Sequence, residues 1–355
     1  MHMTSGFIEK LGIRFPIIQA PMAGVSTPEL AAAVSNAGGL GSLGLGASTI
    51  DQARNMIEQT HRLTGQPFNV NVFCHAPATR DPDREKAWLA YLSPLFSEAG
   101  LDTPDQLDEI YTSFLVDDEQ FEMLLELRPA VVSFHFGIPS ADCIACLREA
   151  GIYTMATATN LYEATLIEQA GIDAIVAQGI EAGGHRGMFN PETTDECLST
   201  MVLVCLLAKH TTLPIIAAGG IMDGHAVNSV LKLGAVAAQL GTAFVLCPES
   251  AANSAYRENL KSQRATQTRL TDVLSGRPAR GMVNRLITFG EADGSPFPAD
   301  YPRAYDAAKR LSEAASKLGN NEFAAQWAGQ GAPLARELPA SELMSVLIAE
   351  IRIEP

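Results

Sequence analysis

Eight short apolar runs punctuate the first 241 residues, and stretches of helical character separate them. The runs cover 15–22, 40–44, 68–73, 130–137, 153–159, 174–178, 214–220 and 235–241, with helices expected over 30–36, 50–63, 118–127, 140–150, 160–170, 195–209 and 223–233. Few folds accept such a rhythm. The runs are short and rich in Val, Ile and Ala, as suits strands buried on both faces. Eight strand–helix units point to a closed TIM-type (β/α)8 barrel, in the α/β class, rather than an open doubly wound sheet. Local signals agree: Ser26-Thr27-Pro28-Glu29 supplies a cap and a first-turn proline, and Gly38-Gly39 stops the helix that follows.

Two stretches break the rhythm. Residues 74 to about 116 carry Pro77, Pro82, Pro94, Pro104, many charges and Tyr111, and read as an inserted excursion or small cap. Residues 254–355 are polar and mainly helical. The expected organisation is therefore a barrel over 1–253 and a helical C-terminal extension over 254–355 that closes over the active site. A hydrophobic fraction of 47% allows a large core. A net charge of -15 with no basic patch argues against nucleic acid. No apolar run approaches the roughly 20 residues of a membrane span. Six scattered cysteines suggest reduced thiols in a cytoplasmic protein, monomeric or homodimeric. Cys143 and Cys146 form a CxxC, but inside an expected helix and with no second pair, so no metal site is expected.

In a barrel, chemistry gathers at the carboxyl ends of the strands. Polar and glycine-rich residues collect there: Ala20-Pro21-Met22, Asn69, His135, Thr157 and Thr159, Gln178 with Gly183, Gly184 and His185, Gly219-Gly220, and Gln239 with Gly241-Thr242. Glycines after the last two strands, with the Thr242 hydroxyl, suit a phosphate. Tight βα turns are the alternative for those glycines, with phosphate binding favoured because both sites occur together, and the 178–187 loop taken alone describes a surface histidine as well as a site. A phosphate, with the amides of Asn69 and Gln178 paired to a ring edge, could hold flavin mononucleotide (FMN). Gly39-Leu-Gly41-Ser-Leu-Gly44 satisfies a dinucleotide-binding spacing, but a helix precedes it and no acidic residue follows about 20 residues on. Tyr301, Tyr305 and Lys309 recur every four residues, so one helical face carries two phenols and an ammonium; by itself this is also an ordinary amphipathic face.

Several motifs then fall in order along nearly the whole chain. Gln19-Ala-Pro-Met-Ala-Gly24, Ser133-Phe-His-Phe-Gly137, Ala156-Thr-Ala-Thr-Asn160, the 178–189 and 214–220 stretches and Trp327-Ala-Gly-Gln-Gly331 resemble those of the class I nitronate monooxygenases, formerly 2-nitropropane dioxygenases. The resemblance implies FMN in a TIM-type barrel, with its phosphate near the seventh and eighth strands and Gln330 among its neighbours. It makes His185 the active-site histidine and places Tyr111, Tyr301, Tyr305 and Lys309 around the substrate; His135, at the end of its strand, is expected to reach the same pocket from its position alone. The implied reaction takes an alkyl nitronate, such as propionate 3-nitronate, and O2 to a carbonyl compound and nitrite through a flavin semiquinone. His185 would position the nitronate, and would act as base on neutral nitroalkanes. Related FMN barrels that use NAD(P)H, the quinone and enoyl-acyl-carrier reductases, are the rival reading; a flavin-binding barrel without turnover is a third.

Overall fold

A computed structural model describes residues 2–352. Its frame is a ring of parallel strands. In chain order these are β1 (Ile17–Gln19), β2 (Gly41–Gly44), β3 (Phe68–Phe73), β4 (Val131–His135), β5 (Tyr153–Ala158) and β6 (Ala174–Gln178). A two-residue strand outside the ring, β7 (Gly184–His185), comes before β8 (Ile215–Ala218) and β9 (Ala237–Leu240). The eight-stranded sheet runs β1-β9-β8-β6-β5-β4-β3-β2. Its seam is bridged where Ile18 pairs with Leu40, the Gln19 N–H donating to the Leu40 carbonyl at 2.9 Å. This is the (β/α)8 barrel expected from the sequence.

Helices α1 (His2–Leu11), α2 (Pro28–Asn36), α3 (Ile50–Leu63), α4 (Pro82–Glu98), α5 (Asp118–Leu127), α6 (Ala141–Glu149), α7 (Leu161–Gln169), α8 (Thr200–His210) and α9 (Gly224–Lys232) follow in order. Their starts are fixed by side chains that occupy otherwise unpaired N–H groups. Thr27 accepts from the Leu30 N–H, and Thr49 and Gln52 form a reciprocal capping box. Phe7 and Leu11 of α1 pack on Ile18, Met155, Val176 and Ile216, so this helix plugs one end of the barrel. The dinucleotide-like glycines serve packing. A Cβ on Gly41 would lie 1.9 Å from the Ala31 carbonyl oxygen, so only glycine lets β2 approach α2 this closely.

Beyond β9 the chain forms α10 (Ser254–Leu260), β10 (Thr268–Thr271), β11 (Ala279–Met282), α11 (Arg285–Gly290), α12 (Arg303–Lys317) and α13 (Ala340–Arg352). This stretch holds strands as well as helices: β10, β11 and β7 make a three-stranded antiparallel sheet that ties it to the loop after β6. Periodicity missed it because two of those strands are four residues long and the third has two. The 74–116 excursion does not stand alone. Trp88, Leu92 and Phe96 of α4 share a second core with Ala307 and Leu311 of α12 and with Phe323, so excursion and extension form one cap. Helix α13, which the sequence reading grouped with the extension, buries Leu343, Met344 and Leu347 in the barrel's own core. It packs between α9 and α2, the place of an eighth barrel helix. Among the described residues, no helix is long and apolar enough to cross a membrane.

Candidate active site

At the carboxyl ends of the strands the barrel opens, beneath the cap, into a cavity of about 740 Å³. Most residues singled out from the sequence face it. Ala20, Pro21 and Met22 come from the end of β1, Gln178, Gly183, Gly184 and His185 from the end of β6 and beyond, Gly219 and Gly220 from β8, and Gln239, Gly241 and Thr242 from β9. His135 reaches it from β4, and Tyr111, Tyr301, Tyr305 and Lys309 reach it from the cap.

Three expected residues do not. Thr159 is buried, its hydroxyl donating to Glu163 Oε2 at 2.7 Å. Asn69 lies wholly inside the barrel, its amide donating to Ser42 Oγ at 3.2 Å. Asn71, one pleat nearer the mouth on the same face, lines the cavity instead and is held by Ser133 Oγ at 2.9 Å. Gln330 is exposed; only its backbone turns inward, donating to the Glu181 carbonyl at 2.9 Å. Its neighbours Gly329 and Gly331 line the cavity.

Gln178 also differs from expectation. Both ends of its amide are committed to the chain: Nε2 donates to the His185 carbonyl at 3.0 Å and Oε1 accepts from the Gly187 N–H at 2.8 Å. It fixes the histidine loop, leaving one N–H for a ligand. Behind it, the buried Arg186 forks onto Asp195 at 2.7 and 3.0 Å. The loop is close-packed, since a Cβ on Gly183 would lie 2.5 Å from the Gly329 nitrogen.

His185 stands in a box of rings, with centroids 5.1 Å from Trp327, 5.4 Å from Tyr301, 5.5 Å from Phe136 and 6.1 Å from Tyr305. Its Nε2 lies 2.9 Å from Ser275 Oγ, and Ser275 donates its single hydroxyl proton to the Arg277 carbonyl at 3.0 Å. His185 therefore carries its proton on Nε2, and Nδ1 keeps a free lone pair. His135 is assigned in the same way. Its Nε2 meets the His185 carbonyl at 3.2 Å and must donate, so Nδ1 accepts from Thr157 at 3.0 Å. Burial pushes both imidazoles towards the neutral form, His185 to about 3 and His135 to about 4. Trp327 and Ser275 were missed as site residues. Trp327 belonged to a quoted motif, whereas nothing local marks Ser275.

The cap side supplies phenols and a cation. Lys309 Nζ donates to Tyr111 Oη at 2.8 Å, joining α12 to the excursion across the cavity mouth. Tyr111 therefore keeps its own O–H to donate. Burial raises the Tyr111 and Tyr305 phenols to about 12, so both remain protonated donors.

The far end fits an anion. Gly219 and Gly220 take φ of +120° and +70°, a left-handed turn open to glycine. The N–H groups of Gly220, Gly241 and Thr242 have no acceptor among the described residues. Thr242 Oγ1 accepts from the Gly329 N–H at 3.0 Å, which turns its own proton outward. Backbone donors left unpaired at a cavity wall are groups that can receive an anion's oxygens.

The comparisons with known proteins point one way. Residues 4–350 match the family model for nitronate monooxygenase. The chain is 57% identical to a nitronate monooxygenase of Pseudomonas aeruginosa, over 99% of this chain and 100% of the relative. It is 56% identical to one from Paraburkholderia phytofirmans, over 96% and 93%. A solved nitroalkane oxidase from Streptomyces ansochromogenes superposes with a TM-score of 0.89 at 41% identity, covering 96% of both chains. FabK of Thermotoga maritima gives 0.74 at 28%, over 98% of this chain and 96% of that one. On fold, site and sequence together, this chain belongs to the nitronate monooxygenases, a family of flavin-dependent oxidoreductases.

Proposed function

We propose that this protein is an FMN-dependent enzyme that oxidises alkyl nitronates, propionate 3-nitronate among them, with O2 to a carbonyl compound and nitrite. The observation that carries the reading is the composition of the cavity wall. The chain has a net charge of -15, yet no Asp or Glu lines the cavity, and Lys309 is its one cation among the described residues. That wall favours an anion.

The donors of Gly220, Gly241 and Thr242 would hold the FMN phosphate, and Gln239 and Asn71 offer amides along the cavity wall. FMN, when bound, would supply the redox step, accepting electrons from the substrate and passing them to O2. The chain's own groups bind and orient. The Tyr111 and Tyr301 hydroxyls donate to the nitronate oxygens, and Lys309 pairs with a second negative charge such as the carboxylate of propionate 3-nitronate. The Nδ1 lone pair of His185 would accept an α-proton from a neutral nitroalkane. An imidazole held this firmly neutral is a weak base, so substrate already deprotonated is turned over faster. The ring box keeps water from the reacting carbon.

The test is anaerobic. Purified, flavin-loaded protein is mixed with propionate 3-nitronate, or separately with NADH or NADPH, and the visible spectrum is followed. Bleaching by the nitronate and not by pyridine nucleotide is expected. Bleaching by NADH or NADPH alone would move the assignment to a reductase, and failure to load with FMN would overturn the cofactor.

A further inference from the structure

Behind the ring wall at the His185 end lies a positive charge with no carboxylate beside it. Arg277, between β10 and β11, is 4% exposed. Its guanidinium lies 4.3 Å over the Phe136 ring. Phe136 in turn meets His185 at 5.5 Å and His135 at 4.5 Å between centroids. Among the described residues Arg277 donates only to main-chain carbonyls, those of Met188 and Phe189, and its Nε has no acceptor. The carboxylate whose field reaches it, Glu163, is committed to Thr159 and to the Phe189 N–H. Arg186, equally buried, shows the usual arrangement: it is paired with Asp195.

A buried charge left without a partner is costly, so its retention calls for a role. The titratable groups facing Arg277 on the cavity side are His75, His135, His185 and Tyr301. All are neutral, and none can balance it. Among the described residues the Tyr301 hydroxyl is buried without a hydrogen-bond partner, and its ring lies 5.0 Å from that of His75. Burial brings Arg277 down only to about 10, so the charge persists at neutral pH. Glu163 offsets it from beyond ion-pair range, and a negative group in the cavity would offset it further.

We propose that Arg277 is a positioning residue that acts through Phe136, its charge making the His185 end of the cavity prefer an anionic head group to a neutral nitro compound of similar shape. The proposal rests on the nitronate reading above and divides the binding in two. Arg277 governs the nitronate head, and Lys309 governs any second charge on the tail. Through the Phe136 ring the guanidinium lies within roughly 10 Å of His185, where a unit charge in a protein interior changes anion affinity about tenfold.

The experiment titrates oxidised, flavin-loaded protein with nitrite and with nitroethane, following the flavin absorbance. Arg277→Gln keeps N–H groups for the two carbonyls and loses the charge; Arg277→Lys keeps the charge. Expected are a roughly tenfold loss of nitrite affinity in Arg277→Gln with nitroethane unchanged, recovery in Arg277→Lys, and a smaller loss in Lys309→Met. Nitrite binding unchanged in Arg277→Gln overturns the proposal. So does an equal loss for nitrite and nitroethane, which would mark a merely structural role. Should Arg277→Gln fail to fold, Lys309→Met decides: a surviving preference for nitrite supports Arg277 as its source, and a lost one overturns it. These titrations need no turnover, so bleaching of the wild type by NADH would sink the nitronate reading while leaving the anion preference measurable.

Discussion

His185 Nε2 lies 2.9 Å from Ser275 Oγ, and the carbonyl of Arg277, 3.0 Å beyond, decides which of them donates. Through this chain of two bonds the segment between β10 and β11 sets the tautomer of a histidine on β7. Ser275→Ala removes the acceptor and frees the ring to turn or to exchange tautomers. If His185 acts as proposed, the expected result is a fall in kcat/KM of about 10–100-fold with normal flavin content, because Ser275 touches the histidine and not the phosphate end of the cavity. Ser275→Thr, which keeps the hydroxyl, should retain most activity. Steady-state kinetics on a nitronate checks it; wild-type rates in Ser275→Ala would remove the orienting role.

The cluster of neutral histidines links stability to pH. In the unfolded chain an imidazole takes its proton near pH 6.5. Folded, His75 and His135 resist to about 4 and His185 to about 3, burial being the main cause in each. Between those values the unfolded chain binds more protons, so stability falls as pH drops below about 6.5 and is unaffected by these groups above it. Each unit is worth about 1.4 kcal/mol per residue. Denaturant unfolding should lose on the order of several kcal/mol between pH 7 and pH 5. Equal midpoints at the two pH values would show that the imidazoles are not held neutral.

Lys309→Met should discriminate between substrates. A charge-assisted contact to a tail carboxylate is worth roughly 1.5–3 kcal/mol, so KM for propionate 3-nitronate should rise about tenfold or more. KM for an unsubstituted ethyl nitronate should change far less. Parallel rises for both would mean that Lys309 supports the Tyr111 hydroxyl and does not read the tail.

Gly220→Ala tests the anion cradle. The residue sits at φ +70°, and an added Cβ would lie 3.1 Å from Glu181 Cβ. Strain of about 1–3 kcal/mol should distort the turn and reduce flavin retention, with the barrel intact. The flavin-to-protein ratio and far-UV circular dichroism measure the two separately. Full retention would move the phosphate away from this turn.

Much of this was legible in the sequence, for a reason particular elements show. The barrel strands are runs of Ile, Val and Ala with a glycine or polar residue at the end, and that contrast marks both the strand and its functional terminus. Residues such as Gln239-Leu-Gly241-Thr242 announce themselves in this way. Asn69 and Asn71 did not separate, because two residues on one face of β3 differ only in depth, and depth depends on how far the strand rises towards the mouth. Ser275 and Arg277 were illegible for another reason, and Phe136 was legible only as part of a quoted motif. Each touches His185 or a ring beside it from distant chain, and no spacing encodes that. The β7–β11 pairing was hidden likewise, since His185 and Ala279 are brought opposite by the cap alone.

Helix α13 sits where a barrel's eighth helix belongs, and that alters the mechanics of the segment before it. An appendage hung from one end could swing about a single hinge. The stretch from β9 to α13 is instead a handle, fixed to the barrel wall at both ends. It can flex or breathe, but it cannot detach without drawing α13 off α2 and α9. Glu350, which accepts from the Gly224 N–H at 2.8 Å and also grips Arg336, is the rivet at its far end. Loosening that rivet, some distance from the chemistry, would slacken the roof over His185 as surely as a change inside the cavity.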